Sequence, residues 1–366
     1  MNILVASDKF KGSLTAVEAC AAIEAGLRDA SPNRFTIQTI PVADGGDGLS
    51  QTLTDAKGGL WKTCRVQDAL GEPTGAGYGW LDNGRIAVIE MAEASGLAQL
   101  GSRKTDPWRA STYGTGELIL NAIHQGAEEI ILGIGGSATN DGGSGMAQAL
   151  GFRFLDDEGN EIHDIPLRLS EAKTIEPPSD LRLPAILVAC DVENPLLGPD
   201  GCTAVYGPQK GILEHDVAKH EARLEHLISL LGDPARQAAT LPGSGAAGGL
   251  GFGGMIFLHG ELVPGFTLVS DLLDLESHIA RADLVITGEG KLDRQTDQGK
   301  APAGVARLAK ASEKPVYAFC GIREEGAGGQ FEESIEIRDP DLSMEENMNH
   351  AARLLRDAAE KFAASI

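Results

Sequence analysis

The chain has 366 residues, which at about 150 residues per domain predicts two domains. Its 53 acidic against 31 basic residues give a formal net charge of −22, which excludes the basic surface that nucleic acid or an anionic membrane requires. Hydrophobic residues at 42% and charged residues at 23% exclude a disordered chain, while glycine, at 47 residues, is in excess without any repeat to explain it.

The chain opens Met-Asn-Ile-Leu-Val-Ala-Ser-Asp-Lys, with no basic stretch ahead of the apolar one, so it reads as a first strand at 3–6 and not as a signal peptide. A loop at 7–12 follows. A helix then opens at Thr15, where Thr15 and Glu18 form a capping box and Ala16, Cys20, Ile23 and Leu27 share one face. A second strand at 35–42 runs into Ala-Asp-Gly-Gly-Asp-Gly at 43–48. This end therefore reads as parallel α/β, with functional loops at the strand C-termini. From 67 to 100, short alternating pieces such as 85–91 predict an antiparallel section. Next come a helix at 115–122, a strand at 129–132, a glycine-rich loop and a helix at 144–150. Sheet-forming stretches at 152–155 and 186–190 follow, then a charged helix at 215–231 whose His215, His220 and His226 are read as exposed.

After 270 the α/β rhythm returns, with strands at 284–287, 316–320 and 334–337 and a helix at 301–311. The last helix is capped by Ser343 and Glu346 and carries Met344, Met348, Ala351, Leu355, Ala358 and Phe362 along one stripe. The two ends share one texture. The expected fold is thus a discontinuous Rossmann-like or flavodoxin-like parallel α/β domain, from 1–66 and 275–366, with a mixed α/β domain, 67–274, inserted into it. No apolar run approaches the ~20 residues of a membrane span. Five cysteines without a Cys-x-x-Cys spacing read as reduced thiols in a cytoplasmic protein.

Glycine concentrates at 44–48, 133–145, 243–254 and 288–299, and three of these segments follow a predicted apolar strand. Glycine there lets backbone N–H groups turn toward an anion, and a following helix adds its positive end. An acidic protein must also gather cations locally to bind phosphate. Lys9 and Lys11 stand in one strand-to-helix loop, and Lys291, Arg294 and Lys300 in another. Asp44, Asp47, Asp141, Asp191, Glu289 and Asp293 flank the glycine segments. Lysines for phosphate, with carboxylates for Mg2+ or a hydroxyl proton, are the inventory of phosphoryl transfer.

No Gly-x-x-x-x-Gly-Lys-Ser/Thr, His-Glu-x-x-His or Gly-x-Ser-x-Gly occurs, so a standard P-loop, that zinc site and the serine elbow are excluded. Gly133-Ile-Gly-Gly-Ser-Ala, with Asp156 beyond it, and Gly243-Ser-Gly-Ala-Ala-Gly do satisfy the dinucleotide pattern. A nicotinamide-dependent dehydrogenase of a small hydroxy acid therefore stays open. So does a non-enzymatic sensor of small anionic metabolites, which would need the lysines but not the carboxylates.

The motifs in their order resemble the bacterial glycerate kinase family of the first type. They are Ile-Leu-Val-Ala-Ser-Asp-Lys-Phe-Lys-Gly-Ser-Leu-Thr at 3–15, Pro-Val-Ala-Asp-Gly-Gly-Asp-Gly at 41–48 and Tyr-Gly-Thr-Gly-Glu-Leu at 113–118. Gly-Ile-Gly-Gly-Ser-Ala-Thr-Asn-Asp-Gly-Gly at 133–143, Ala-Cys-Asp-Val-Glu-Asn-Pro-Leu-Leu-Gly at 189–198 and Gly-Pro-Gln-Lys-Gly at 207–211 follow. The series closes with Pro-Gly-Ser-Gly-Ala-Ala-Gly-Gly-Leu-Gly at 242–251 and Ile-Thr-Gly-Glu-Gly-Lys-Leu-Asp-Arg-Gln-Thr at 286–296. Tyr206 stands where the resemblance leads one to expect Phe.

The resemblance implies an ATP-dependent kinase that converts D-glycerate to 2-phosphoglycerate with Mg2+, in glycerate, glyoxylate or sugar-acid catabolism. It also implies two α/β domains with the active site in the cleft between them, and small-molecule partners only. Within that reading Asp191, at the end of an apolar run, is the expected base, and Lys9, Lys291 and Arg294 are the expected catalytic cations. Lys11, Asp8 and Asp44 are expected to bind substrate or phosphate. So are Gly135, Gly136, Ser137, Asn140 and Asp141 on one loop and Gly243, Ser244 and Gly245 on another. Glu289 and Asp293 are expected to hold the metal.

Overall fold

The short apolar runs of the sequence become strands, numbered here in chain order. This computed structural model describes residues 1–46, 48–293 and 300–366. The N-terminal strands are β1 (Asn2–Val5) and β2 (Thr36–Thr39). The central ones are β3 (Leu60–Gln67), β4 (Pro73–Leu81), β5 (Ile86–Glu90), β6 (Glu129–Gly133), β7 (Arg153–Leu155), β8 (Thr174–Glu176), β9 (Ala185–Ala189) and β10 (Glu261–Val263). The C-terminal ones are β11 (Leu284–Leu292), β12 (Val316–Arg323) and β13 (Glu333–Glu336).

By its contacts the chain divides into two units. One comprises Met1–Asp44, Asp55–Lys57 and Gly265–Ile366, the other Gly45–Thr54 and Gly58–Pro264. The first unit holds a wholly parallel sheet in the order β13-β12-β11-β1-β2. Ile3, Leu4 and Val5 of β1 are all buried, as expected of a central parallel strand covered on both faces. The helix Ala16–Ala30 starts with the predicted capping box, a device that contributes about 1 kcal/mol. It packs on the helix Ala351–Ser365, where Gly26 allows the backbone of Arg356 to come close. Ile23, Leu27, Leu355, Phe319 and Phe362 fill the core beside them.

The chain leaves β1 toward β2 through Ala16–Ala30, whereas the helix Ala301–Ala311 carries it from β11 the other way, toward β12. The crossovers therefore diverge between β1 and β11. In an open α/β sheet such a switch point opens a crevice at the strands' C-terminal ends, where ligands bind.

Two expectations for this unit change. β11 does not stop at residue 287; it continues through Gly288 and Gly290, pairing Glu289 with Cys320 and Lys291 with Ile322. These glycines serve close approach rather than a turn. A Cβ at Gly290 would lie 3.0 Å from the Lys11 nitrogen, so only glycine lets the segment around Lys11 rest on the strand. The C-terminal stripe also breaks. A short helix, Met344–Asn349, ends at His350, and Met344 and Met348 are exposed. Asn347 there donates to the carbonyls of Asp339, Leu342 and Ser343, tying that turn to the preceding loop.

The second unit holds a mixed sheet in the order β10-β9-β6-β5-β4-β3. It is antiparallel from β3 to β5, as the alternating texture predicts, and parallel from β5 to β10. β3, which the expected boundary at 66/67 leaves with the first domain, pairs along its whole length with β4. β7 and β8 form a small antiparallel pair. The helix Val217–Leu231 buries His220, which was read as exposed: its ring stacks on Trp108 at 4.0 Å and bonds the Arg223 guanidinium at 3.3 Å. His220 lies on the same helical face as Leu224 and Leu227, and burial of that face takes it inside. Burial and the Arg223 charge hold its pKa down at about 4, so the ring stays neutral. All five cysteines are free thiols. Among the described residues no helix is long and apolar enough to cross a membrane.

Candidate active site

In the first unit the segment after β1 is fastened across β11. The Asp8 N–H donates to the Gly288 carbonyl at 2.9 Å, and the Ser7 hydroxyl to the same oxygen at 3.2 Å. Phe10 is buried and its backbone exchanges two bonds with Leu14, so the loop is pinned from within and carries Lys9, half-buried, and Lys11, exposed. The continuation of β2 is tied to the same segment by the Val42 N–H on the Ser7 carbonyl, two residues before Asp44. Asp8 is 6% exposed and its Oδ1 accepts the Lys9 N–H at 2.6 Å. Burial first, then the Asp44 and Glu289 charges, push its pKa up to about 7 against the opposing pull of Lys9.

Farther along β11 the charges alternate in sign. The Lys300 ammonium lies 3.7 Å from Glu289 and 3.5 Å from Asp293. Lys291 lies 2.6 Å from Glu324 and 3.7 Å from Asp293, and its bond to Glu324 raises its pKa. Arg294 lies outside the described residues, as does Asp47. The two carboxylates expected to hold the metal therefore share one ammonium. Among the described residues no group of three or more His, Cys, Asp or Glu side chains could hold a metal ion. Each of them thus lies beside a cation here, Glu289 beside Lys300 and Asp293 beside Lys300 and Lys291.

In the second unit β6 ends at Gly133, but the next helix, Ser144–Ala149, starts only after an extended loop. A dinucleotide fingerprint needs a tight strand-to-helix turn, so the pattern at Gly133 is not one. Asp156, its supposed ribose partner, accepts from Glu158 and Asn160 in a turn after β7. The dehydrogenase reading falls with both. The loop is instead folded on itself. Gly136, at φ 71°, offers its carbonyl to the Leu97 N–H, and Gly96 bridges to Ser137 beyond Gly135. Asn140 donates to Thr203 at 3.0 Å. Asp141 is 1% exposed and accepts four bonds, from the Thr112 N–H and hydroxyl and from the N–H groups of Gly143 and Gly145. Burial pushes its pKa up while those donors pull it back. That carboxylate shapes the loop.

The other loop packs against it, with the Gly142 N–H on the Gly248 carbonyl at 3.0 Å. Gly243, Ser244 and Gly245 are buried, and the N–H of Gly245 is already bonded to Asn194, that of Ser244 to Leu241. Asp191, just beyond β9, is exposed, and its Oδ2 accepts the Gly45 N–H at 2.7 Å.

Two residues of this unit escaped the sequence reading. Lys210 is 1% exposed and donates to the Thr139 carbonyl at 2.7 Å; burial depresses its pKa to about 8. Glu90, the last residue of β5, is 6% exposed and plugs the start of the helix Leu49–Lys57. It accepts from Gly48 N at 2.7 Å and from the Ser50 N–H and hydroxyl at 3.0 and 2.6 Å. An acidic residue closing an apolar strand was the available signal. Glu90→Ala is expected to cost about 2–3 kcal/mol, since buried donors lose their acceptor. Urea unfolding measures it, and a loss under 0.5 kcal/mol, as for an exposed site, would contradict that role.

A parallel α/β sheet whose C-terminal edge gathers ammonium and carboxylate groups defines the class: an α/β enzyme of small-molecule chemistry. The sequence profile of the glycerate kinase family matches residues 3–366. A glycerate kinase of Halalkalibacterium halodurans is 43% identical over 99% of this chain and 97% of its own. A glycerate 2-kinase of Escherichia coli K12 is 42% identical over 92% and 89%. The crystal structure of a candidate glycerate kinase 2 from Salmonella typhimurium LT2 superposes with a TM-score of 0.90 at 40% identity, covering 100% of this chain and 98% of that one. The chain belongs to the glycerate kinase family and is an enzyme of that family.

Proposed function

We propose that the protein transfers the γ-phosphoryl group of ATP to D-glycerate, giving 2-phosphoglycerate and ADP in the catabolism of glycerate, glyoxylate or sugar acids. The observation that carries this reading is the clustering of Lys9, Lys291 and Lys300 with Asp8, Asp44, Glu289 and Asp293 around the β1–β11 switch point. Phosphoryl transfer asks chiefly for positioning and for cations on the moving charge, which that inventory supplies. The names of the relatives from H. halodurans and E. coli support the substrate, and the latter supports oxygen 2 as the acceptor. The proposal makes this enzyme the alternative to a metabolite sensor, which would bind without turnover.

In this reading Lys9 and Lys11 contact phosphate or the glycerate carboxylate. Arg294 and Lys291 stabilise the transferring group, Lys291 exchanging its bond to Glu324 for one to phosphate. Mg2+ enters as the counter-ion carried on the ATP phosphates, with no step assigned to Glu289 or Asp293. Asp191, with its bond to the Gly45 N–H, positions the segment that leads to Gly48. Substrate binding is proposed also for Gly135, Gly136 and Ser137 and for Gly243, Ser244 and Gly245. Five free thiols accord with a reducing, cytoplasmic compartment.

The test is ADP release that depends on glycerate and Mg2+, with phosphorus NMR of the product. Phosphate on oxygen 2 is the expected outcome. Phosphate on oxygen 3 would correct the product, and ADP release indifferent to glycerate would sink the reading.

A further inference from the structure

We infer that Asp8 is the general base of this reaction, taking the proton of the attacking hydroxyl; the inference rests on the kinase reading above. Its place carries the argument. Asp8 stands just beyond β1, with its backbone N–H bonded to Gly288 of β11, so it is fixed at the boundary where the crossovers diverge. The ionisable groups that act on it come from three elements: Asp44 beyond β2, Glu289 on β11, and Lys9 from its own loop.

Of the other carboxylates on β11 and just beyond it, Glu289 and Asp293 face Lys300. An aspartate needed only to hold the Lys9 N–H could do so from the surface, ionised, without a desolvation cost. This one is buried among like charges, an arrangement that brings its titration near neutral pH, where a base works best.

The step balances. The hydroxyl oxygen forms its bond to the γ-phosphorus, the bond from that phosphorus to the β,γ-bridging oxygen breaks, and its electron pair leaves with ADP. The hydroxyl proton passes to the Asp8 carboxylate, which later returns it to water. Because the base acts only when ionised, activity must rise with pH through about 7.

Purified full-length wild type and Asp8→Asn are compared from pH 5 to 9 by glycerate-dependent ADP release, with thermal melts to compare their folds. Wild type is expected to show an acid limb near pH 7. Asp8→Asn is expected to lose ~10²- to 10³-fold in kcat, with little change in either KM and with the acid limb gone. A variant within threefold of wild-type kcat, or one that keeps the limb, overturns the inference alone. A wild-type profile flat from pH 5 to 9 overturns it without recourse to the variant. Wild type that releases no ADP with glycerate overturns the kinase reading and takes the base with it.

Discussion

Lys9→Ala is expected to lower kcat/KM by ~10²-fold or more, as loss of a preorganised cation at a developing charge does. Three features make this side chain, among the lysines, the one to test. The loop that carries it is held by buried Phe10 and by the bond between the Lys9 N–H and Asp8, so the ammonium is attached to a fixed backbone. It belongs to a chain of net charge −22, whose field repels anionic substrates and raises the value of each local cation. It is half-buried, so water screens it less than Lys11, which is exposed.

The backbone bond to Asp8 survives in the alanine variant, so the fold should melt within ~2 °C of wild type. Steady-state kinetics then separate two roles. A fall in kcat assigns the ammonium to the transition state; a rise in KM alone assigns it to ground-state binding. Lys9→Arg keeps the charge but spreads it over a planar fork, and should restore binding better than turnover. Wild-type kinetics in Lys9→Ala would remove the residue from the site.

What the sequence disclosed here, and what it hid, follows the range of the interactions. Thr15 with Glu18 and Ser343 with Glu346 are legible because both partners of each box lie within one turn. The parallel sheet is legible because strands covered on both faces read as continuous apolar runs. β11 was cut short because Gly288 and Gly290 read as a loop, and the reason for them, the segment 7–11 lying across the strand, is some 280 residues away. Glu90 was missed for the same reason: its partners are Gly48 and Ser50, brought to it only by the second sheet.

The glycine loops were read as rows of free N–H donors. In the structure several of those donors are spent on Asp141, Asn194 and Leu241. The glycine excess is thus not a measure of available donors. Much of it secures close packing of backbone on backbone, and the candidate anion chemistry rests on the lysines.

Asp141→Ala should be the most damaging of the structural changes, costing about 3–5 kcal/mol in urea unfolding, because it breaks a buried hydrogen-bonded charge network. Oδ2 alone gathers the Thr112 N–H at 2.9 Å, the Thr112 hydroxyl at 2.8 Å and the Gly145 N–H at 3.1 Å, while Oδ1 takes the Gly143 N–H at 3.1 Å. The Thr112 hydroxyl in turn accepts from Met146, so the loss propagates into the helix Ser144–Ala149. Every polar neighbour in this set is a donor, which makes the isosteric variant informative. Asp141→Asn preserves volume but turns an NH2 group toward N–H groups that need an acceptor, so it should recover less than half of the loss. A purely steric role would instead leave Asn close to wild type. Recovery by Asn to within 1 kcal/mol would therefore show that shape, and not the charge with its four donors, holds the loop that begins at Gly133.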